Sequence, residues 1–252
     1  MAGTVVKAGR TKARRAREAC GIAVDVPLPD LLVMAELGLD VPVAMFEWLG
    51  EDLAGAYIRR SGRRLVLLNG SDPVVRLRFT LAHELAHHCF GDDAQPDTHA
   101  GLARPGHWIE VRANAFAAEL LMPHAAVSRW IDEQGLDAAN LGDVVRASHA
   151  FGVSAIVALY RIDDLGLPLD AARLKAEIGA GLHLEAFPHQ SYPDSIRDAR
   201  DCLPYVSERL RASTLVRAAR GELEVDEAAR RLGVSESALR DLWAPFDLLP
   251  PA

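Results

Sequence analysis

The chain has 252 residues, half of them hydrophobic, and carries a formal net charge of −7 at pH 7. This length allows one sizeable core with a smaller domain beside it. No run of about eighteen apolar residues occurs, so no membrane-spanning helix is expected. The acidic total disfavours a protein that binds nucleic acid over its whole surface. Three widely spaced cysteines fit neither a disulfide framework nor a zinc knuckle, and we expect a cytoplasmic protein.

The N-terminal residues predict two helices. Residues 7–22 are rich in arginine and alanine, which indicates a helix. Its basic face is either solvated or offers a patch to a partner or to DNA. Asp30 is placed to cap a second, short helix over residues 31–38, which ends at a glycine.

A small antiparallel sheet is expected next. Residues 41–48 are predicted as a strand, and Pro42 favours an edge position because proline cannot donate to a ladder. Residues 56–60 and 64–69 flank a Ser-Gly-Arg turn, which predicts a hairpin. The edge of such a sheet is a natural place for an extended peptide to bind.

The stretch LAHELAHHCF then carries His83, Glu84 and His87 in the pattern H-E-x-x-H. Pro73 and Gly91 bracket it as start and stop signals, so the pattern is predicted to lie on a helix. Residues four apart share one helix face, and the two imidazoles can therefore bind one metal ion. Glu84 lies about 100° around the helix, where it can take a proton from a metal-bound water.

A catalytic metal site needs a third protein ligand. The candidates downstream are His99, His107, Glu110 and Glu119. Residues 107–122 predict a second helix whose apolar stripe includes Glu110, and a carboxylate on a buried stripe calls for a cation. We therefore predict Glu110 as the third ligand, with His107 as its main rival.

The remaining polar residues of this second helix receive other roles. Glu119 and Arg112 are predicted on the opposite, solvated face. Asn114, one turn after Glu110, can orient a ligand by a hydrogen bond. Between the two helices, residues 91–106 read as a loop in which His99 and Arg104 are candidates for contact with substrate.

These two blocks, RFTLAHELAHHCFG and EVRANAFAAELLMP, resemble the ImmA/IrrE family of metallo-endopeptidases. The likeness extends over about Ala13 to Leu167. The resemblance implies a zinc-peptidase fold and makes Glu110 the third ligand. It also implies a protein substrate, a helix-turn-helix repressor or antitoxin encoded nearby, in a stress, mobile-element or toxin–antitoxin setting.

The C-terminal half is predicted to be mainly helical. A helix over residues 125–133 precedes a helix-turn-helix pattern over 141–165, and residues 168–200 read as a linker. A helix over 203–220 and a second helix-turn-helix pattern over 225–243 follow. Basic and acidic residues balance in this last part, which gives little drive for DNA binding.

We therefore predict an α+β fold in which a small antiparallel sheet packs on the H-E-x-x-H helices. Residues 1–135 would form the peptidase core, 136–167 a helix-turn-helix-like block and 168–252 a helical C-terminal domain. The predicted function is metal-dependent hydrolysis of a peptide bond, with Zn²⁺ held by His83, His87 and Glu110 and with Glu84 as the base. Mn²⁺ satisfies the same ligand types.

Two other functions fit the same residues. A DNA-binding transcription regulator could use the metal site as a structural or sensing element, although a structural site has no need of a base beside an open position. A toxin-like interaction protein masked by its antitoxin is the other. The residue that stabilises the oxyanion is not assigned, with His88, His124 and Tyr57 available.

Overall fold

The structure is a computed structural model. It describes residues 2–47, 52–60, 62–92, 96–98, 102, 107–186, 195–207, 211, 214–215, 217–218, 221–232 and 235–243. The strands are β1 (Val43–Phe46), β2 (Leu53–Arg60), β3 (Arg63–Asn69), β4 (Pro96–Thr98) and β5 (Tyr205–Val206). The helices are α1 (Ala2–Ala19), α2 (Leu31–Val33), α3 (Val74–Phe90), α4 (Trp108–Leu121), α5 (His124–Gln134), α6 (Leu141–Phe151), α7 (Ala155–Asp164), α8 (Ala171–Gly179), α9 (Leu182–Ala186), α10 (Ser195–Asp201), α11 (Val225–Leu232) and α12 (Glu236–Trp243).

The short second helix begins where its cap was predicted. The Asp30 side chain accepts a hydrogen bond from the Val33 amide at 2.9 Å. After Val33 the backbone continues as a π-helical turn, Met34–Gly38. Leu31 and Ala35 are fully buried, so this segment joins the core rather than the surface.

The five strands form one sheet in the order β4-β2-β3-β1-β5. The predicted hairpin is present, since β2 pairs antiparallel with β3 from Gly55 opposite Leu68 to Arg60 opposite Arg63. The prediction of a wholly antiparallel sheet is wrong for one pair, because β1 runs parallel to β3. The hairpin places β3, not β2, beside β1, and the sheet is therefore mixed.

The first strand is also not at the edge that Pro42 suggested. Pro42 lies just before β1, and its carbonyl accepts a hydrogen bond from the Val66 amide at 2.9 Å. The other side of β1 is covered by β5, which pairs antiparallel with it. A proline that precedes a strand removes no donor from the ladder, so the interior position is allowed.

The α+β fold is confirmed, and its main core lies between the sheet and the helices. Val66 and Leu68 of β3, Leu81 of α3 and Phe116 of α4 are fully buried in one cluster. That cluster continues into α6, α7, α8 and α10. A second, smaller cluster gathers Ala218, Val225, Ala228, Ala229, Leu232 and Leu239. The division at residues 135 and 167 stays a prediction.

The first helix is held to α4 by arginines that bind their own chain. Arg17 is fully buried and donates to the Leu120 carbonyl at 2.7 Å and to the Ala23 and Val26 carbonyls. Arg14 donates to Glu119 at 2.8 Å. These two arginines stabilise the packing of α1, in agreement with a helix packed on the protein rather than one held free for a partner.

The prediction that Glu119 is a solvated surface acid is wrong. Its side chain is 1% exposed and lies 3.2 Å from Arg161, which is also buried. Burial lowers the pKa of Arg161 to about 10, against the opposing effect of Glu119. The helical stripe identified the apolar face of α4 correctly, but it could not show that α1 and α7 cover the other face.

The helix pair α6–α7 has the predicted bounds. Asn140 and Asp143 form a capping box at the start of α6, and Gly152 ends it in a left-handed conformation at φ 62°. Arg78 of α3 is fully buried and donates to the Gly152 carbonyl at 2.9 Å. This bond fastens the helix pair to the helix that carries the H-E-x-x-H pattern.

The C-terminal half contains more structure than the sequence suggested. Residues 168–200 are not simply a linker, because α8, α9 and α10 lie there and Leu174, Ile196 and Ala199 enter the main core. The helix predicted over 203–220 begins too early, since β5 occupies its first residues. α11 and α12 match the second predicted helix pair, and residues 233–234 between them lie outside the described residues.

Candidate metal centre

The long helix α3 places both histidines of the H-E-x-x-H pattern on one face. It starts after Pro73 and ends at Gly91, whose φ of 74° allows the left-handed cap. The rings of His83 and His87 lie one turn apart in an edge-to-face arrangement, with centroids 4.9 Å from each other. Both residues are buried, His83 completely. The sequence prediction of a helix with two aligned imidazoles is confirmed.

The second helix of the site, α4, brings in a carboxylate. His107 caps this helix by accepting a hydrogen bond from the Ile109 amide, and Glu110 lies in the first turn. Glu110 Oε2 is 3.0 Å from Nε2 of His83 and 3.7 Å from Nε2 of His87. The two Nε2 atoms are 3.1 Å apart. The structure therefore brings His83, His87 and Glu110 together, as predicted.

These three distances can be compared with the edges of a metal tetrahedron. Bonds of about 2.0–2.1 Å to a tetrahedral Zn²⁺ separate neighbouring ligand atoms by roughly 3.3 Å. The three ligand atoms lie within 4.8 Å of one another, and a group of this size can hold a metal ion. The triangle is thus close to the size that a single divalent ion requires.

Asn114 fixes the orientation of the first histidine. Its amide nitrogen donates to the Leu102 carbonyl at 2.8 Å, so its oxygen must face the other way. That oxygen lies 2.8 Å from Nδ1 of His83. An amide oxygen only accepts, and Nδ1 of His83 therefore carries a proton, so that in the neutral imidazole Nε2 keeps its lone pair. The orienting role predicted for Asn114 has its contact in the structure.

Asp92 does the same for the second histidine. Its Oδ2 lies 3.0 Å from Nδ1 of His87. Arg112 donates to both Asp92 oxygens, at 2.6 and 2.7 Å, which holds that carboxylate in place. The Arg112 guanidinium also lies 3.8 Å from the centre of the Phe90 ring. The prediction that Arg112 faces solvent is therefore wrong, since its side chain is only 12% exposed.

The proton positions leave three electron-rich atoms facing one another. With Nδ1 protonated on both rings, each Nε2 presents a lone pair, and Glu110 adds a carboxylate oxygen. Lone pairs at such short separations repel unless a cation lies between them. Imidazole nitrogen and carboxylate oxygen are also the donor set that Zn²⁺ takes in catalytic sites. The residues present thus fit a divalent metal ion.

Glu84 lies beside this cluster and under the sheet. It is fully buried on α3. Its Oε1 would lie 3.3 Å from a Cβ atom added to Gly55 of β2. The strand therefore passes directly over the Glu84 carboxylate, and the absence of a side chain at Gly55 provides the room. Glu84 is not one of the three clustered ligands, as its position on the helix predicted.

The other proposed ligands and contacts are placed elsewhere. His107 is an exposed helix cap, and Glu119 pairs with arginines. His99 and Arg104 lie outside the described residues. Of the three residues considered for the oxyanion, His124 pairs with Asp164 at 2.6 Å. Tyr57 and His88 contact each other at 3.2 Å.

The sequence reasoning missed Asp92 and misplaced Arg112. Asp92 directly follows the helix-ending Gly91, and the chain reversal there turns its side chain back towards His87. A histidine in the last turn, then a glycine stop and an acid, was the available signal. Arg112 could be identified only once α3 and α4 were packed together, because its partner comes from another element.

The family comparison agrees with this geometry. Residues 39–163 match the family model of the IrrE N-terminal-like domain, Peptidase_M78. The chain contains a Peptidase_M78 domain. All four predicted site residues lie within the Peptidase_M78 match, and the resemblance seen in the two sequence blocks is confirmed. The Peptidase_M78 match supports a metallopeptidase-type function and, with the His83–His87–Glu110 cluster, a metal cofactor.

Two further findings concern the whole sequence and the described residues. No curated protein matches the sequence. In the described residues, the structure has no helix with the length and apolar character needed to cross a membrane.

Proposed function

We propose that this protein is a zinc endopeptidase that cuts a protein partner, and that the partner is a helix-turn-helix repressor or antitoxin. The observation that carries the proposal is the cluster of His83, His87 and Glu110 with its fixed proton positions. A histidine set oriented by hydrogen bonds from outside the ligand triangle is typical of functional metal sites.

The chemistry follows from the residues around the cluster. His83, His87 and Glu110 would hold Zn²⁺, which supplies Lewis acidity and lowers the pKa of water at the site. Glu84 accepts the proton of the attacking water and passes it to the departing amine. Its burial under β2 shields this carboxylate from bulk solvent.

The sheet suggests how a peptide would be held. β2 passes over Glu84 at Gly55, and β4 is the edge strand next to β2. An extended substrate segment could add to that edge through main-chain hydrogen bonds. The identity of the partner rests on the resemblance to the ImmA/IrrE family, whose members act on helix-turn-helix proteins encoded nearby.

The test compares the native chain with Glu84→Gln. Each protein is loaded with zinc and incubated with the helix-turn-helix protein encoded beside its gene, and fragments are identified by mass spectrometry. The proposal expects equal metal content and cleavage by the native chain only. Glu133→Gln is the matched control, because Glu133 is exposed on α5 and pairs only with Arg129 in the described contacts.

Three results would contradict the proposal in different ways. Cleavage by Glu84→Gln at the native rate removes Glu84 from the mechanism. Loss of metal in that variant makes Glu84 a ligand instead of a base. If the native chain binds zinc and cuts an unrelated unfolded protein but not the neighbouring one, the peptidase assignment stands and the partner is wrong.

The alternative of a DNA-binding regulator has little support in the helix pair α6–α7. The second helix, α7, exposes Asp163 and Asp164 at its end, and Arg161 of this helix is buried. A helix that reads DNA needs exposed cations near the phosphates. A gel-shift assay with the promoter of the neighbouring gene, at low and high salt, distinguishes the two functions.

A further inference from the structure

A cavity lies at the start of α3, away from the two histidines. Its volume is about 600 Å³, and it is bounded by the start of α3, the α6–α7 turn, α9 and α10. Its polar lining consists of Arg76, Arg197, Arg200, His149, His183, Ser148 and Ser154. No Asp or Glu occurs among the described residues that line it. In a chain with a net charge of −7, this is a local concentration of cations.

The cations of this cavity are only partly used by the protein itself. Arg76 reaches Asp72 at 3.4 Å, a long contact, and Arg200 donates to the Asp72 backbone carbonyl at 3.1 Å. The buried Nε of Arg197 and Nδ1 of His183 have no hydrogen-bond partner within the part of the chain that the structure describes. Buried donors of this kind are costly unless a ligand or water meets them.

Two helices begin at the same cavity. Pro73 precedes α3 and Ser154 precedes α7, and neither residue gives a side-chain hydrogen bond to cap its helix. The helices are 17 and 10 residues long. Their first amides and the positive ends of their dipoles thus add to the charge of the three arginines.

We propose that this cavity binds a small molecule that carries phosphate groups. Guanidinium groups and helix N-termini are the donors that proteins direct at phosphate oxygens. The apolar lining, Val74, Val145, Val153 and Leu184, would pack against the carbon part of the molecule. A volume of about 600 Å³ lies within the range of roughly 300–1,000 Å³ that is usual for small-ligand sites.

A ligand here would join parts of the chain that are far apart in sequence. Arg76 lies on the metal helix, Ser154 on the α6–α7 turn, and Arg197 and Arg200 on α10. The same α3 helix carries His83 and His87 two to three turns further on. The ligand would therefore hold the metal helix against the C-terminal segments. Binding can be measured without any peptidase assay, so this proposal is tested independently of the proposed function.

The experiment is isothermal titration calorimetry of the full chain with inorganic phosphate, pyrophosphate and ATP. We expect pyrophosphate and ATP to bind more tightly than phosphate, because they can contact several cations at once. The double variant Arg197→Gln/Arg200→Gln should weaken pyrophosphate binding at least about tenfold, the usual effect of losing charge-assisted hydrogen bonds. The control Arg129→Gln/Arg173→Gln removes the same charge from exposed sites away from the cavity and should change nothing.

A second variant distinguishes a loss of binding from a loss of folding. Ser154→Asp puts a residue that is favoured at helix N-caps before α7, so the fold should be preserved, but it places a carboxylate in the cavity and should abolish binding. The proposal is wrong if no probe binds, or if binding is unchanged in both cavity variants, which would put the phosphates on the metal centre instead. It is also wrong if a short DNA duplex binds the native chain and competes with pyrophosphate, which would make the site a nucleic-acid contact.

Discussion

The amide of Asn114 is held by the Leu102 carbonyl so that its oxygen lies 2.8 Å from Nδ1 of His83. This arrangement allows one tautomer of His83, with Nε2 directed at Glu110. A residue outside the ligand triangle thus decides whether Nε2 of His83 is available to bind a metal ion.

Replacing Asn114 should weaken metal binding. Asn114→Leu removes the acceptor that orients His83, and the affinity for zinc should fall about 10- to 100-fold, as is usual when such partners are lost. Asn114→Asp keeps the acceptor for Nδ1 of His83 but loses the donor to the Leu102 carbonyl, so its affinity should lie between those of the native and Asn114→Leu proteins. Competition with a chelator of known affinity measures both. Equal affinity in native and Asn114→Leu proteins would show that the tautomer is fixed by something else.

Asp92 should matter in the same way for His87. Asp92→Ala removes the carboxylate 3.0 Å from Nδ1 of His87 and leaves Arg112 without its two hydrogen bonds. Zinc affinity should again fall at least about tenfold. Asp132→Ala, an exposed change on α5, is the control.

Gly55 should not tolerate a side chain. A Cβ atom there would lie 2.6 Å from Thr80 Cγ2 and 2.9 Å from the Leu67 carbonyl. Gly55→Ala should therefore destabilise the protein by about 1–3 kcal/mol through overpacking, measured by urea unfolding. Gly179→Ala is the control, since nothing lies within 4 Å of its added atom, and it should be neutral or slightly stabilising. A native-like stability for Gly55→Ala would mean that β2 can move away from Glu84.

Removing one member of the buried pair Glu119 and Arg161 should lower the free energy of unfolding. Among the described residues, Glu119→Leu leaves Arg161, which is 3% exposed, with Asp164 at 3.6 Å as its one acidic partner, and should cost about 3 kcal/mol of unfolding free energy. The double variant Glu119→Leu/Arg161→Leu should cost less than the sum of the single changes, because neither charge is then left alone. Glu133→Leu, which breaks an exposed pair, should have a much smaller effect.

The three cysteines should differ in reactivity. Burial raises the pKa of Cys89 to about 11 and also raises the pKa of Cys20, whereas Cys202 is exposed. Because the thiolate is the reactive form, only about one Cys89 in ten thousand is ionised at pH 7. Ellman's reagent should label Cys202 first and Cys89 last, and Cys202→Ser should remove the fast phase. Rapid labelling of all three would indicate that α3 opens readily.

The sequence by itself determined the local parts of this protein. Helix periodicity, Pro73 and Gly91 placed His83, Glu84 and His87 on one helix, and the stripe of α4 selected Glu110. The cap at Asp30 and the hairpin of β2 and β3 also follow from neighbouring residues. Each of these features depends on contacts within a few positions of the chain, which a pattern can express.

The tertiary structure decided which elements meet. The parallel pairing of β1 with β3, the burial of Glu119 by α1 and α7, and the return of α10 and β5 to the core all join residues distant in sequence. The Asp92–Arg112 contact and the cationic cavity at the start of α3 are of the same kind. Their energies come from burial and pairing between elements, and a single sequence contains no periodicity that records such pairings.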